Sequence, residues 1–161
     1  MADEGLSEGG LSIGSVLSPE RVVLLDNPDK NSALKKLIDV LSQTPEIKDE
    51  DELEKSIFDR EEMMSTGIGL GVGVPHVRLK SVKDIVMAVG LSRHPIDDYE
   101  SLDDEPVRLI FLIAARNDQH REYIRLLKQV SSQVKDEQRR KEIFQVESAE
   151  QLYDYLTQGD E

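Results

Sequence analysis

Residues 60–78 read Arg-Glu-Glu-Met-Met-Ser-Thr-Gly-Ile-Gly-Leu-Gly-Val-Gly-Val-Pro-His-Val-Arg. Four of the chain's ten glycines alternate here with apolar residues, and Val74, Pro75 and His76 follow the last of them directly. Glycine weakens a strand and costs backbone entropy on folding, so this density favours a tight turn or a close approach to the main chain. We therefore expect the chemistry of the protein at the end of this run.

A short strand and two helices are predicted before the glycine run. Residues 21–25 are mainly apolar, include the β-branched Val22 and Val23, and end at a turn signal in residues 26–28, which favours a strand or extended segment. One helix is predicted from Ser32 and a second from about Asp49 to Met64, whose first turn carries acids that favour a helix start. The predicted apolar faces hold Leu34, Leu37, Ile38 and Leu41 in the first helix and Leu53, Ile57 and Met64 in the second.

Two buried strands and three helices are predicted after the run. Residues 84–91 and 106–115 are almost continuously apolar, which is typical of strands covered on both faces, and the second of them is expected at the centre of the sheet. A polar, acid-rich connection, residues 92–105, separates the two strands. The predicted helices begin at Asn117 or Asp118, near Asp136 and at a capping box in residues 148–151.

Strands that alternate with helices predict an α/β fold, with a mixed, mainly central β-sheet sandwiched by α-helices. The helix after the central strand is predicted to carry His120 in its first turn, and its predicted apolar face holds Ile124, Leu127, Val130 and Val134. Sites in such sheets gather at strand ends and helix starts, so the loops that carry His76 and His120 can converge.

Composition limits the classes of protein to which the chain can belong. Its 161 residues, 38% of them hydrophobic, suffice for one domain, which we place at residues 17–158. Residues 1–16, rich in Gly, Ser and acids, are predicted to form a flexible tail. The absence of cysteine excludes disulfides and a cysteine nucleophile and suits a cytoplasmic location. Neither a signal peptide nor a membrane span is predicted.

The charge balance indicates which partners the surface favours. With 33 acidic and 20 basic residues, the formal net charge is −13. Such a charge repels phosphate backbones and anionic lipid, so we expect no nucleic acid and no membrane insertion. A basic protein surface would instead be steered toward this one.

The glycine run matches neither of the common nucleotide-binding motifs. A G-x-G-x-x-G fingerprint needs its third glycine where Val72 or Val74 stands, depending on the register. A P-loop ends in Gly-Lys followed by Ser or Thr, which the chain lacks. Nucleotide binding is therefore a poor explanation for the run.

His76 is the candidate nucleophile. Pro75 has a restricted φ and favours an extended Val74, so the imidazole is presented from a stiff backbone. A neutral imidazole can accept a phosphoryl group and pass it on. The alternative is a histidine in an exposed loop.

Phosphoryl transfer requires cations and N–H donors around the phosphoryl oxygens. Arg60 is the strongest candidate, because a guanidinium can bind two phosphate oxygens at once; its alternative role is a surface salt bridge to a helical acid. The other candidates are Arg78, Ser65, Thr66 and the backbone amides of the glycine run.

The remaining histidines are weaker candidates. His120 could donate a hydrogen bond to a phosphoryl group on His76, or it could be a solvated residue in a first helical turn. His94 precedes a proline in the acidic connection and is interpreted as a surface residue. The three histidines do not have the spacing of a helical H-x-x-x-H zinc pair, so we expect no metal and no cofactor.

Three segments together resemble a family signature: Arg60-Glu-Glu, Ser65-Thr-Gly-Ile-Gly and Gly71-Val-Gly-Val-Pro-His. They are similar to the mannitol/fructose and nitrogen-regulatory class of enzyme IIA domains of the bacterial phosphoenolpyruvate-dependent sugar phosphotransferase system. The similarity continues in residues 106–113 and in Asn117-Asp-Gln-His followed by an apolar helix, and so covers about residues 18–157. It implies the fold predicted above.

The resemblance also implies roles for individual residues. His76 would be phosphorylated by the small histidine-containing phosphocarrier protein, with Arg60 and His120 beside it. The group would then pass to a IIB partner in sugar transport, or its presence would signal to a regulatory target. The alternative is a protein-interaction module with the same fold that is not phosphorylated. The chain departs from the family pattern at Leu70, often Asn, at Gly73, often Ala, and at Val77, often a small residue.

Overall fold

A mixed six-stranded sheet lies at the centre of the computed structural model, which describes residues 11–26 and 29–158. The elements are α1 Ile13–Val16, β1 Val22–Leu25, α2 Lys30–Leu41, α3 Glu50–Met63, β2 Gly67–Gly69, β3 Val72–Gly73, β4 His76–Leu79, β5 Val86–Ile96, β6 Val107–Arg116, α4 His120–Lys135, α5 Glu137–Phe144 and α6 Ala149–Gln158. A short 3₁₀ turn, Pro19–Arg21, precedes β1.

The sheet is organised around β6. The strand order is β1-β5-β6-β3-β2, and β4 also pairs with β6. β6 runs antiparallel to β5 and parallel to β3 and β4, which continue one after the other along its second edge. This confirms the prediction that the apolar run of residues 106–115 forms the central strand.

Helices cover both faces of the sheet, which confirms the predicted sandwich. Alternate residues of β5 and β6 point to opposite faces, as the two-residue period of a strand requires. Met87, Phe111 and Ile113 face a core closed by α1, α4, α5 and α6. Ala88 and Leu112 face a second core closed by α2 and α3. No helix among the described residues is both long and apolar enough to cross a bilayer.

Two of the predicted helix faces differ from those in the structure. Met64 caps the end of α3 and is 77% exposed, because the chain leaves the helix there. In α4 the buried residues are Tyr123, Leu126, Val130 and Val134, whereas Ile124 is 37% exposed. The prediction for Ile124 was wrong because the first half of the buried face lies one position earlier along the chain, at Tyr123 and Leu126.

The start of α4 also differs from the prediction. The residue before its first turn is Gln119, not Asn117 or Asp118, and its side chain makes no cap hydrogen bond. Instead, the Gln119 side chain accepts a hydrogen bond from the Arg116 backbone at 3.0 Å and donates one to Asp84 at 2.7 Å. These bonds join the end of β6 to the loop before β5.

Two segments expected to be irregular are ordered. β5 continues through a bulge to Ile96, where pairing with Val107 resumes, so part of the predicted polar connection is strand. The predicted tail is wrong for residues 13–16, since Ile13 and Val16 are buried in the core. The side chain of Gln129 anchors this segment, accepting from the Ile13 backbone at 3.0 Å. Residues 1–10 of that prediction lie outside the described residues.

The hairpin between β2 and β3 contains a strained residue. Leu70 has φ 63° and Gly71 has φ 78°, so both residues of the turn are left-handed. This conformation costs an ordinary L-residue roughly 1–2 kcal/mol, whereas Asn tolerates it and Asn-Gly is the preferred pair in such turns. The Leu70 backbone N–H donates to Asp103 at 2.9 Å, which helps to hold the turn.

We expect the Leu70→Asn variant to raise the free energy of unfolding by about 0.5–1 kcal/mol, because it relieves left-handed strain. The measurement is urea denaturation followed by circular dichroism. Ile68→Asn is the matched control, since both side chains are 41% exposed and Ile68 has no positive φ. A Leu70→Asn variant no more stable than the wild type would contradict this account of the turn.

Candidate functional site

A cavity of about 480 Å³ lies between the end of α3 and the start of β4. The chain leaves α3, turns through the β2–β3 hairpin and returns through Pro75 to place His76 at the first position of β4. The structure therefore brings Arg60 and His76 to the same cavity. The lining residues are Arg60, Met63, Met64, Ser65, Thr66, Ile68, Val74 and His76.

Two contacts fix the His76 ring. Its Nδ1–H donates to the Val74 carbonyl oxygen at 2.5 Å. Because a carbonyl oxygen can only accept, Nδ1 carries the hydrogen, and the lone pair of the neutral ring is at Nε2. The Tyr123 ring packs against the imidazole, with ring centroids 5.2 Å apart. The fold itself thus sets the tautomer and the orientation of the His76 ring.

Burial lowers the pKa of His76 below its usual 6.5, since a charged imidazolium loses solvation there. The hydrogen bond to the Val74 carbonyl and the negative charge of Glu61 raise this pKa, and the positive charge of Arg60 lowers it. Burial is the largest of these effects. The lowered pKa favours the neutral form of the ring, which is the form that can act as a nucleophile.

We expect the lowered pKa of His76 to change the pH dependence of its chemical modification. Only the neutral ring reacts with diethyl pyrocarbonate, so a lower pKa keeps His76 reactive to a lower pH. The pH midpoint for modification of His76, followed by peptide mass spectrometry, should lie below the midpoint for the same residue in urea-unfolded protein. An equal or higher midpoint in the folded protein would contradict the account.

Arg60 carries a positive charge to the cavity from the last turn of α3. Within residues 11–26 and 29–158 it forms no ion pair, so the alternative role, a salt bridge to a helical acid, is not observed. Its side chain is exposed and acts on the pKa of His76 through its charge. An unpaired guanidinium beside a neutral histidine suits an incoming dianion.

Glu61 is a buried carboxylate beside the site, and the sequence predictions gave it no role. It forms an ion pair with Lys30 at 2.9 Å and accepts a hydrogen bond from the Thr66 hydroxyl. The Thr66 hydroxyl in turn lies 2.7 Å from the Tyr99 hydroxyl. A sequence signal existed: Glu61 follows Leu53 and Ile57 at intervals of four and so occupies a position on the apolar face of α3.

The hydroxyl groups of Ser65 and Thr66, predicted as phosphate donors, take part in holding the loop. The Ser65 hydroxyl donates to the Glu100 carbonyl at 2.6 Å. The Thr66 backbone N–H donates to Glu61 at 3.3 Å, beside the hydroxyl contact already described. These bonds attach the segment after α3 to Glu61 and to the Glu100 carbonyl. Arg60 is therefore the charged donor that lines the cavity.

The glycines permit a close approach by the chain's own residues. A Cβ at Gly67 would lie 2.2 Å from the Glu100 carbonyl oxygen, and one at Gly73 would lie 2.8 Å from the Tyr99 hydroxyl. Residues 99–101 therefore pack directly under the loop. At position 73, where the family often has alanine, this chain has glycine, and the Tyr99 side chain occupies the space that an alanine Cβ would need.

His120 lines a different cavity, of about 340 Å³, which shares no lining residue with the first. Tyr123, one helical turn later, contacts the His76 ring and connects the two regions. Arg78 donates to the Asn117 carbonyl at 3.2 Å, which joins β4 to the loop before α4. The residues lining the second cavity are His120, Arg121, Ile124, Arg125 and Lys128.

Neither metal ligation nor the third histidine adds to the site. His94 is exposed on β5, as its surface interpretation requires. Among the residues that the structure describes, no three or more His, Asp or Glu side chains are grouped so as to hold a metal ion.

Comparison with solved structures shows the same fold in two other proteins. The nitrogen regulatory protein IIA-Ntr of Neisseria meningitidis has a TM-score of 0.78 at 24% identity, covering 92% of this chain and 98% of that one. The IIA mannitol protein of Escherichia coli has a TM-score of 0.71 at 22% identity, covering 87% and 98%.

Sequence relatives extend the similarity. The fructose-specific EIIABC component of Bacillus subtilis is 30% identical over 93% of this chain, which spans only 24% of that protein. The fructose-specific EIIA component of Haloferax volcanii is 26% identical over 89% of this chain and 94% of its own length. The sequence model described as "Phosphoenolpyruvate-dependent sugar phosphotransferase system, EIIA 2" matches residues 15–159. Since this match covers nearly all of the described residues, the chain belongs to the EIIA 2 family of the phosphoenolpyruvate-dependent sugar phosphotransferase system.

Proposed function

We propose that the protein is a phosphohistidine carrier, which accepts a phosphoryl group on His76 from the histidine-containing phosphocarrier protein. The observation that carries the proposal is the state of the His76 ring. Its Nδ1–H donates to the Val74 carbonyl, and among the residues that the structure describes its Nε2 has no hydrogen-bond partner and Arg60, which lines the same cavity, forms no ion pair.

The proposed phosphoryl transfer needs no cofactor, because one bond to phosphorus forms as another breaks. Nε2 of His76 forms a bond to the phosphorus as the bond between phosphorus and the donor's histidine nitrogen breaks, and that nitrogen keeps the electron pair. Arg60 stabilises charge on the equatorial oxygens. The imidazole becomes positively charged when it bears the phosphoryl group, and the Val74 carbonyl stabilises that charge through Nδ1–H.

The onward partner is a IIB protein or a regulatory target in the cytoplasm. Support for a IIB partner comes from the solved complex of enzyme IIAMtl with phosphorylated enzyme IIBMtl from Escherichia coli, whose IIA fold this chain shares with a TM-score of 0.72. Support for a regulatory target comes from relatives named nitrogen regulatory protein, including one from Pseudomonas aeruginosa at 27% identity over 89% of this chain. The phosphate relay is common to both roles.

The test is incubation of the protein with phosphoenolpyruvate, enzyme I and the phosphocarrier protein. Intact mass spectrometry at neutral or alkaline pH should show the added mass of one phosphoryl group, which acid treatment removes. Omitting the phosphocarrier protein is the control. No added mass in the complete mixture would contradict the proposal and favour an interaction module that is not phosphorylated.

His120 is proposed to stabilise the phosphoryl group during onward transfer. We expect the His120→Ala variant to accept phosphate on His76 but to pass it to a purified IIB protein about 10- to 100-fold more slowly, because such a hydrogen bond acts in the transition state. His94→Ala is the matched control, since His94 is exposed on β5. An unchanged transfer rate in His120→Ala would show that His120 takes no part in onward transfer.

A further inference from the structure

A continuous path of hydrogen bonds leads from Glu61 to the nucleophile. The Glu61 carboxylate accepts from the Thr66 hydroxyl. The Thr66 carbonyl accepts from the Val74 backbone N–H at 3.0 Å. The Val74 carbonyl accepts from the His76 Nδ1–H at 2.5 Å. The carbonyl that selects the tautomer of His76 therefore belongs to a segment that Thr66 and Glu61 hold in place.

The far end of this path is anchored by a buried ion pair. The side chains of Lys30 and Glu61 are 13% and 5% exposed, and their charged atoms are 2.9 Å apart. The Lys30 ammonium also lies 4.6 Å from the centre of the Tyr99 ring. Replacing a buried ion pair by apolar residues often leaves stability unchanged or raises it. We therefore interpret the Lys30–Glu61 pair as a contact that fixes the position of the Glu61 carboxylate.

Only one arrangement of the hydroxyl hydrogens satisfies the groups around Thr66. A carboxylate can only accept, so the Thr66 hydroxyl donates to Glu61, and the Tyr99 hydroxyl must donate to the Thr66 oxygen. Burial raises the pKa of Tyr99, and the negative charge of Glu61 raises it further, so this donor keeps its hydrogen. Directed bonds of this kind fix one position of the Thr66 backbone.

We propose that Glu61 and Thr66 are positioning residues for His76, which hold the Val74 carbonyl where it selects the Nδ1–H tautomer and leaves Nε2 free. The inference rests on the proposed function for its role in transfer. The tautomer itself can be measured without any phosphoryl donor, so the two proposals are separable.

The test compares Thr66→Val, which keeps the shape but loses the hydroxyl, with Thr66→Ser, which keeps the hydroxyl. Two-bond ¹⁵N–¹H correlation spectra report the tautomer of His76. We expect the Nδ1–H form in the wild type and in Thr66→Ser, and a mixture of tautomers in Thr66→Val. Glu61→Gln, which removes the charge that pairs with Lys30, should also give a mixture of tautomers. Glu62→Gln is its control, because Glu62 is the exposed neighbour of Glu61 and should leave the tautomer unchanged.

The second measurement is the initial rate of phosphorylation at His76. Misplacing a reacting group slows a reaction steeply, so Thr66→Val should be about 10- to 100-fold slower, with the rate restored in Thr66→Ser. Thermal unfolding checks that each variant is folded. If Thr66→Val does not fold, Thr66→Ala replaces it, since its smaller side chain introduces no clash.

The outcomes separate the two proposals. A folded Thr66→Val or Thr66→Ala variant with an unchanged tautomer would overturn the positioning role, and so would a changed tautomer with an unchanged rate. A wild type that shows the Nδ1–H tautomer but gains no phosphoryl group would overturn the proposed function alone. A changed tautomer together with a slower rate, both reversed in Thr66→Ser, supports the inference.

Discussion

Replacing His76 by alanine should abolish phosphoryl uptake, because the transferred group needs the Nε2 lone pair. The other two histidines lie elsewhere: His94 is exposed on β5, and His120 lines a cavity that shares no residue with that of His76. Neither is expected to replace the nucleophile. Intact mass spectrometry after incubation with the complete donor mixture is the measurement, and peptide mapping assigns the site.

The loss should come from chemistry and not from unfolding. His76 is only partly buried, and the ring contact with Tyr123 is expected to be worth about 0.5–1.5 kcal/mol. The His76→Ala variant should therefore remain folded, which thermal unfolding can verify. His94→Ala is the control and should be phosphorylated like the wild type. Phosphorylation of folded His76→Ala would show that the nucleophile has been assigned to the wrong residue.

The Lys30→Met variant should lower the free energy of unfolding by about 3–5 kcal/mol, since it leaves the buried Glu61 carboxylate without its partner. This is a large fraction of the stability of an ordinary domain. The measurement is urea denaturation at pH 7.

The chain offers a matched control for this ion pair. Lys55 and Asp59 have the same 2.9 Å separation, but their side chains are 76% and 56% exposed. Lys55→Met should change the free energy of unfolding by only about 0.5 kcal/mol, because solvent screens the pair. The double variant Lys30→Met, Glu61→Met should be more stable than Lys30→Met alone. Equal effects of Lys30→Met and Lys55→Met would show that burial does not strengthen the first pair.

The candidate site was only partly predictable from local sequence. The glycine run, Pro75 and His76 are adjacent along the chain, so their pattern indicated a stiff loop with a nucleophile at its end. Arg60 lies sixteen positions before His76, but the helix that carries it ends where the run begins, and in the structure both residues line one cavity. The resemblance to a family implied a place for His120 beside them; in the structure His120 lines a second cavity, and Tyr123, one turn further along the same helix, contacts the His76 ring.

The sequence by itself determined the layered fold and indicated His76 as the candidate nucleophile. The apolar runs of β5 and β6 are long enough to require burial on both faces, and helical periodicity identified the elements that cover them. These signals depend on neighbouring residues, since hydrophobic spacing is a local property.

Only the tertiary structure decided which residues surround the loop that carries His76. Lys30 and Tyr99 lie far from Glu61 and Thr66 along the chain, and folding alone brings them into one buried network. The phase of α4, which buries Tyr123 against His76, and the burial of α1 were decided in the same way. The physical reason is that a buried polar group needs a hydrogen-bonding or charged partner, and that partner can come from any part of the chain. A pattern among neighbouring residues therefore does not identify it.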